Sequence, residues 1–424
     1  MQSYTYIRPS ALREAAAERA LVLETSGGAT PAGEEANPRF FSGLLTTPTA
    51  AAAALLTVAD VAATRYYRPR LPSSLDPVMT ANGDRLRMES FSGCCGLYAR
   101  LEVLAPGLDG GEIGHGTTNV DKVPLPKRWL RGFAEVQVLT AGLALRAEVP
   151  ASEVAAVLRS LPRPTLRSNA RDTRWLVPAG PTLRPASRPV PGAVCLPGPE
   201  RLHTLQQVLR HSTGLRVYAL DGEPGEATAV AWEIGLPGMR LTLVLSQDAT
   251  RGISGEGAVL HDLAIGTAAQ DAHVVSALLA WQPKIDVAEL SRQADLPAGR
   301  VRTALTVLGT SGQIGCDPAE EAYFHRSLPY SADGAEAHNP RLRGARALVA
   351  DGAVRNDGAT TWVGRGDRVY LVHADDRGEL GCPCRWWAKY RGGRGPCKHV
   401  LAARMVQDAT SATNITNATK EPAR

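Results

Sequence analysis

The apolar positions of this 424-residue chain change period several times. Pro48 follows Thr46-Thr47 and opens an Ala-rich run to Arg65 carrying Leu55, Leu56 and Val58, which predicts a buried helix with proline in its first turn. Phe91 to Val103 predicts a strand pair or hairpin that bends at Gly93 and Gly96. Glu135–Val138 and Leu143–Val149 predict further strands, and Ala151–Leu161, opening on Ser152-Glu153, predicts a helix. Residues 1–177 therefore read as a mixed α/β domain. Seven prolines and three glycines crowd residues 178–199, which predicts a linker, because proline removes donors and resists both helix and central strand. A helix over Leu202–His211 and strands over Arg216–Leu220, Thr228–Ile234 and Arg240–Leu245 then predict a small α+β unit spanning 200–270.

From 271 to 330 the pattern becomes helical. His273–Trp281, Val287–Ala294 and Ala298–Leu308 predict three short helices, and Val301, Ala304, Leu305 and Leu308 of the third fall on one face. Ile314-Gly315-Cys316 and Ala322-Tyr323-Phe324-His325 predict two strands around Pro318. Three helices and a hairpin resemble a winged helix-turn-helix. The third helix sets Gly299, Arg302, Thr303, Thr306 and Thr310 opposite its apolar stripe, and Arg and Thr suit phosphates and base edges. The wing, however, carries Asp317, Glu320 and Glu321, which would repel a phosphate backbone. A protein-docking role is at least as well supported as DNA reading.

The chemistry is concentrated near the C-terminus. Cys382, Cys384, Cys397 and His399 read C-x-C, twelve residues, C-x-H. Three thiolates and one imidazole are a ligand set for a closed tetrahedral Zn²⁺ site. Pro383 stiffens the first pair; Gly392, Gly393 and Gly395 let the chain bend back, and His399 opens the apolar run of a short helix. Only seven Cys occur in the whole chain, so three within sixteen positions are not a chance grouping. A catalytic zinc needs an open position and a general base. Between Cys382 and Gln407 there is no Asp or Glu, so the site reads as structural. Cys94, Cys95, Cys195 and Cys316 read as buried free thiols.

This spacing resembles the SWIM-type zinc finger, with the preceding hairpin Thr361-Trp362-Val363 and Val369-Tyr370-Leu371-Val372 fitting as well. The resemblance covers about residues 345–407. A weaker one spans most of the chain: Asn37-Pro38-Arg39-Phe40-Phe41, Ser92-Gly93-Cys94-Cys95-Gly96-Leu97-Tyr98 and Gly116-Thr117-Thr118-Asn119-Val120-Asp121 look like bacterial SWIM zinc-finger proteins. Those are typically encoded beside MoxR-type AAA+ ATPases and von Willebrand A-domain proteins, and the resemblance implies such a protein as partner. It supplies no catalytic residues.

Charge sharpens the picture. The net charge is +5, but residues 340–407 alone hold thirteen Arg or Lys against six Asp or Glu, a net of +7. Between the ligand pairs lie Arg385, Trp386, Trp387, Lys389, Tyr390, Arg391 and Arg394, and aromatics interleaved with cations suit stacking and phosphate contact by DNA or RNA. A solvated basic surface is the equal alternative. No apolar run reaches a membrane span, and the N-terminus lacks a basic region followed by an apolar stretch; the expected compartment is cytoplasmic, where thiols stay reduced. No phosphate loop, Rossmann fingerprint, nucleophile elbow or His-Glu-x-x-His occurs, and Ser254-Gly255-Glu256-Gly257 lacks the lysine and helix context of a phosphate loop. The expectation is an α+β multidomain binding adaptor rather than an enzyme: a mixed α/β N-terminal region, a winged helix over 271–330, a zinc finger over 340–407 and a disordered tail over 408–424. Its partners would be nucleic acid, protein or both. A pure protein adaptor is the second reading. An enzyme with a site near Asn119 and Asp121 is the third.

Overall fold

The computed structural model describes residues 11–418, except 16–17, 23–26, 67–76, 120–126, 162–172, 187, 221–226, 329–338, 358–359, 367 and 376–377. The chain forms two compact units, neither of them contiguous. The first comprises Met1–Ser254, Leu279–Asp286 and Gly312–Tyr330; the second comprises Gly255–Leu278, Val287–Ser311 and Ser331–Arg424.

The first unit is built on a ten-stranded antiparallel sheet. Its strands in chain order are β1 (Gly28–Thr30), β2 (Gly33–Glu35), β3 (Val78–Asn82), β4 (Arg85–Phe91), β5 (Leu97–Leu104), β6 (His115–Asn119), β7 (Ala144–Pro150), β8 (Gly214–Ala219), β9 (Val230–Leu236) and β10 (Met239–Leu245). They lie side by side as β7-β8-β9-β10-β5-β4-β3-β6-β1-β2. The strands read within 200–270 thus share one sheet with those of the N-terminal region. The proline-rich stretch is only partly irregular: Thr182–Ala186 and Val194–Pro197 flank Thr173–Ala179 in a separate three-stranded sheet.

Period-2 alternation gives the large sheet two unlike faces. Met79, Met88, Ala99, Leu101, Leu241, Leu243 and Trp232 belong to an apolar core beneath α1 (Pro48–Ala63). On the opposite face, Phe91, Tyr98 and Val244 pack with Trp129, Phe133 and Val136 of α2 (Lys127–Ala141). A strand was expected over Glu135–Val138. The helix prevails because Trp129, Phe133, Val136 and Thr140 are buried at three- and four-residue spacing. The helix α3 (Ala151–Ser160) falls where expected, whereas Pro199–Gln207 and Leu209–His211 are 3₁₀ turns rather than one α-helix.

The remainder of that second face is ionic. Arg240, Glu102 and Arg87 stand opposite one another on β10, β5 and β4, and Arg100 stands opposite Glu89. This layer is capped by a hairpin of β11 (Ile314–Asp317) and β12 (Ala322–His325). Arg100 donates to Asp317 at 2.7 Å, Arg240 reaches Asp317 at 2.8 Å and Glu320 at 3.1 Å, and Arg326 pairs with Glu89. Burial pushes the Glu102 carboxyl up, but the cations of Arg100, Arg87 and Arg240 outweigh it and hold the group well below its usual range. Asp317 and Glu320, read above as a wing that repels phosphate, are instead neutralised here; Glu321 is exposed.

The second unit holds helices α4 (Leu260–Leu263), α5 (Ala268–Ser276), α6 (Val287–Ala294) and α7 (Ala298–Thr310), with α7 packed on the other three. The three helices read for a winged helix therefore lie in this unit and their hairpin in the first. After α8 (Pro340–Ala350) comes a four-stranded antiparallel sheet of β13 (Val354–Asn356), β14 (Thr360–Arg365), β15 (Arg368–Ala374) and β16 (Leu380–Gly381), then α9 (Arg385–Tyr390) and α10 (Lys398–Ala418). α10 runs through eleven residues of the segment expected to be disordered, 408–418, since a helix already nucleated propagates at little cost through alanine-bearing sequence.

Candidate metal centre

Each ligand pair is set by a local turn. β16 delivers Cys382, and Cys384 is the residue that opens α9, its carbonyl accepting from Ala388 N–H at 2.9 Å. The return path is a run of left-handed residues, Arg391 (φ 43°), Gly392 (φ 83°) and Gly395 (φ 67°), which reverses the chain within a few positions. Cys397 and His399 then sit at the start of α10, where Leu401 N–H bonds the Cys397 carbonyl at 3.1 Å.

The four residues converge. All four are buried, and one ligand atom from each lies within 4.8 Å of the others. His399 turns Nδ1 towards the thiols, 3.7 Å from Cys382 Sγ and 4.0 Å from Cys397 Sγ. Ligands about 2.3 Å from a shared tetrahedral centre stand about 3.8 Å apart, so the spacing fits one metal ion. The sulfurs are also furnished for negative charge. Val400 N–H points to Cys397 Sγ at 3.4 Å, and backbone amides of Cys384 and Trp387 bond the sulfurs of Cys382 and Cys384. A hydrogen bond from the Cys382 thiol holds Cys397 down to about 4, with His399 assisting; Cys382, the donor, is pushed above the usual thiol range, and burial pushes Cys384 up. One thiolate is thus favoured among three, and a divalent cation would displace the remaining protons.

The surroundings hold the ligands still. Tyr370 of β15 stacks on the His399 ring with centroids 4.4 Å apart. Trp386 is enclosed by Arg341, whose guanidinium lies 4.4 Å from the ring centre, and by Arg394 at 5.6 Å. Arg341 also donates to the Pro396 carbonyl at 3.0 Å, next to the ligand Cys397. Arg394 donates to the Gly255 carbonyl at 2.8 Å. The glycine-rich segment at 254–257 therefore serves as a seat for this turn: a Cβ on Gly257 would stand 2.9 Å from the Arg394 carbonyl oxygen. Further along α10, Arg404 donates to His261 Nδ1 at 2.6 Å, and from the same short α4, Asp262 accepts from Thr306 of α7 at 2.6 Å.

Of the residues expected to contact a partner, Arg385, Lys389 and Arg391 are exposed, as is Arg302 on α7. Trp386, Trp387 and Arg394 are half-buried, the first and last locked together as described. The contacts of Arg341 and Tyr370 with the cluster were not read from the sequence. Tyr370 carries a period-2 signal that sets it on the face opposite Trp362, whereas Arg341, 56 positions before Cys397, carries none. All seven cysteines are buried and outside any disulfide, and Cys95 occupies a tight turn with φ 55° rather than a strand. Asn119 ends β6, and Asp121 lies outside the described residues.

No protein-family profile matches the chain, and no curated protein matches it. Among solved structures, proliferating cellular nuclear antigen from Entamoeba histolytica matches over 47% of this chain and 95% of its own, at 6% identity and a TM-score of 0.27. A score that low carries no argument about fold or role. Among the described residues no helix is long and apolar enough to cross a membrane.

Proposed function

We propose that residues 340–407 are a zinc-dependent binding module of the SWIM type, serving a non-catalytic adaptor, and that its exposed cations contact nucleic acid. The observation that carries the metal assignment is the donor set itself: three buried sulfurs, each accepting a backbone amide, with one imidazole nitrogen aimed among them. Soft thiolates with one imidazole in tetrahedral array select Zn²⁺, and a set with four protein ligands leaves no open position for substrate. When bound, the ion supplies cross-linking of β16, α9 and α10.

The contact reading is supported by Arg385 and Lys389, one turn apart on α9, and by Arg391 just after it, all exposed. Arg302, exposed on α7, offers a further cation. The acids Asp317 and Glu320 no longer count against this, being paired within the first unit.

The test has two arms. Elemental analysis of freshly purified protein should find one zinc per chain, and none would sink the metal assignment. Binding to DNA or RNA should weaken steeply with salt, and exchanging Arg385, Lys389 and Arg391 for Ala should flatten that slope by about one unit per lost phosphate contact. Absence of binding at low salt would favour the protein-adaptor reading, with a MoxR-type ATPase or von Willebrand A-domain protein as the partner to seek by co-purification.

A further inference from the structure

The four-stranded sheet of the second unit has an outer face whose composition is not explained by packing. Its inner residues, Thr361, Val363 and Val372, are buried, and Tyr370 on that side meets His399. Register then fixes the outer set. Trp362 pairs across to Arg355 on one side and Leu371 on the other; His373 pairs to Thr360 and to Gly381; Val369 pairs to Gly364. Directly opposed residues share a face. Trp362 is 44% exposed and Val369 41%, and Arg355 and His373 are exposed as well. Gly381 leaves a shallow place between two rings: a Cβ there would lie 3.6 Å from His373 and 3.7 Å from the Trp387 indole nitrogen. The half-buried Trp387 therefore borders the same face that displays Trp362.

Charge selects the occupant. None of the four strands contains an Asp or Glu, while they hold Arg355, Arg365 and Arg368. Arg365 leans to Asp351 at 4.0 Å, whereas Arg355 lies beside Trp362 across the strand pair. Nearby acids lie in turns: Asp357 accepts from Thr360, and Asp375 from Glu379 N–H at 2.8 Å. We propose that this face is a stacking platform for single-stranded nucleic acid. A base lies on Trp362 and its phosphates meet Arg355, with Trp387 and His373 offering a second aromatic place. The flat face of a base is accessible only in an unpaired strand, and indole accepts any base on its π-face. This rests on the reading of the module as a nucleic-acid binder. It adds the class of nucleic acid and a surface distinct from the α9 cations.

The experiment uses the full-length, zinc-loaded protein and fluorescence anisotropy with a labelled oligothymidylate and a labelled duplex. The wild type should bind the single strand more tightly than the duplex. Trp362→Ala should weaken the single strand about tenfold or more, with zinc content and circular dichroism unchanged, and Trp362→Phe, which keeps a ring, should retain most of the binding. Unaltered affinity in Trp362→Ala, while the Arg385, Lys389 and Arg391 exchange abolishes binding, would overturn the platform and leave the nucleic-acid reading standing. So would equal affinity for duplex in the wild type, or equal losses for Ala and Phe with zinc retained. No binding by the wild type at low salt would overturn both and point to a protein on this face.

Discussion

Two buried polar clusters hold this protein's units together internally, and they are opposites. The cysteine–histidine cluster gathers four ligands from eighteen consecutive positions, 382–399. The ionic layer of the large sheet gathers Arg85, Arg87, Arg100, Glu102, Arg240, Asp317 and Glu320 from positions more than two hundred apart. The first cluster could hold a metal ion that the chain must acquire; the second pairs side chains that the chain already carries. Desolvating charges is costly, and the layer returns that cost only while every pair is made. A bound zinc would concentrate the first cluster's binding energy in one ion, so its unit should answer to metal supply, whereas the first unit should answer to mutation and acid.

The largest expected effect separates them outright. Structural zinc in small domains supplies about 10–16 kcal/mol of apparent binding energy. Cys397→Ser, or a strong chelator, should therefore abolish zinc content and open residues near 380–405 to protease. The large sheet should keep its hydrogen-exchange protection; its loss as well would break the comparison.

Next, Arg100→Ala leaves Asp317 without its closest cation and removes one of the cations around Glu102. A buried pair broken on one side costs about 3–5 kcal/mol, to be read as a shift in the urea midpoint of the first unit with zinc content unchanged. Replacing Arg100 by Met together with Asp317 by Leu should recover much of that loss, because it removes the orphaned charge as well.

Acid should act through His325. Its Nδ1 accepts from Trp281 N–H at 2.7 Å, and burial pushes its pKa down to about 4. The unfolded chain, with an imidazole near 6.5, then binds the proton more readily than the native state between those values, so stability is full above about 6.5 and falls as pH drops towards 4. The whole window corresponds to roughly 3 kcal/mol. Urea titrations at neutral pH and near pH 4.5 measure it, and His325→Gln should flatten the dependence.

The smallest effect concerns Arg391, a non-glycine residue at φ 43° closing α9. Arg391→Gly should stabilise the second unit by up to about 1 kcal/mol, and Arg391→Val should do the reverse. Thermal melts of the zinc-loaded protein check both.

The difference in range also explains what could be read from the chain. The cysteine–histidine cluster was legible because its residues lie within one turn-and-return. Most strands and helices were legible from apolar period. The segment over 127–141 was misread at its second half, because Glu135–Val138 taken alone alternates like a strand while Trp129 and Phe133 set the helical register. The ionic layer was invisible: Arg100 and Asp317 look like ordinary surface residues until β5 and β11 are brought together. The acids of the hairpin were accordingly read for what they would repel, when their partners lay in the sheet.

The interleaved order of the chain has a consequence for synthesis. Arg87, Arg100 and Glu102 leave the ribosome about two hundred residues before Asp317, and Arg240 about seventy-five before it. Until the hairpin at 314–325 emerges, the sheet face that it covers is a strip of charge with nothing laid over it. The helices α4 to α7 are encoded on either side of residues 279–286, which belong to the first unit. Each half is interrupted along the chain by a piece of the other. A nascent chain stopped at residue 254 would carry most of the large sheet without its lid, and such intermediates are the forms a chaperone would meet first.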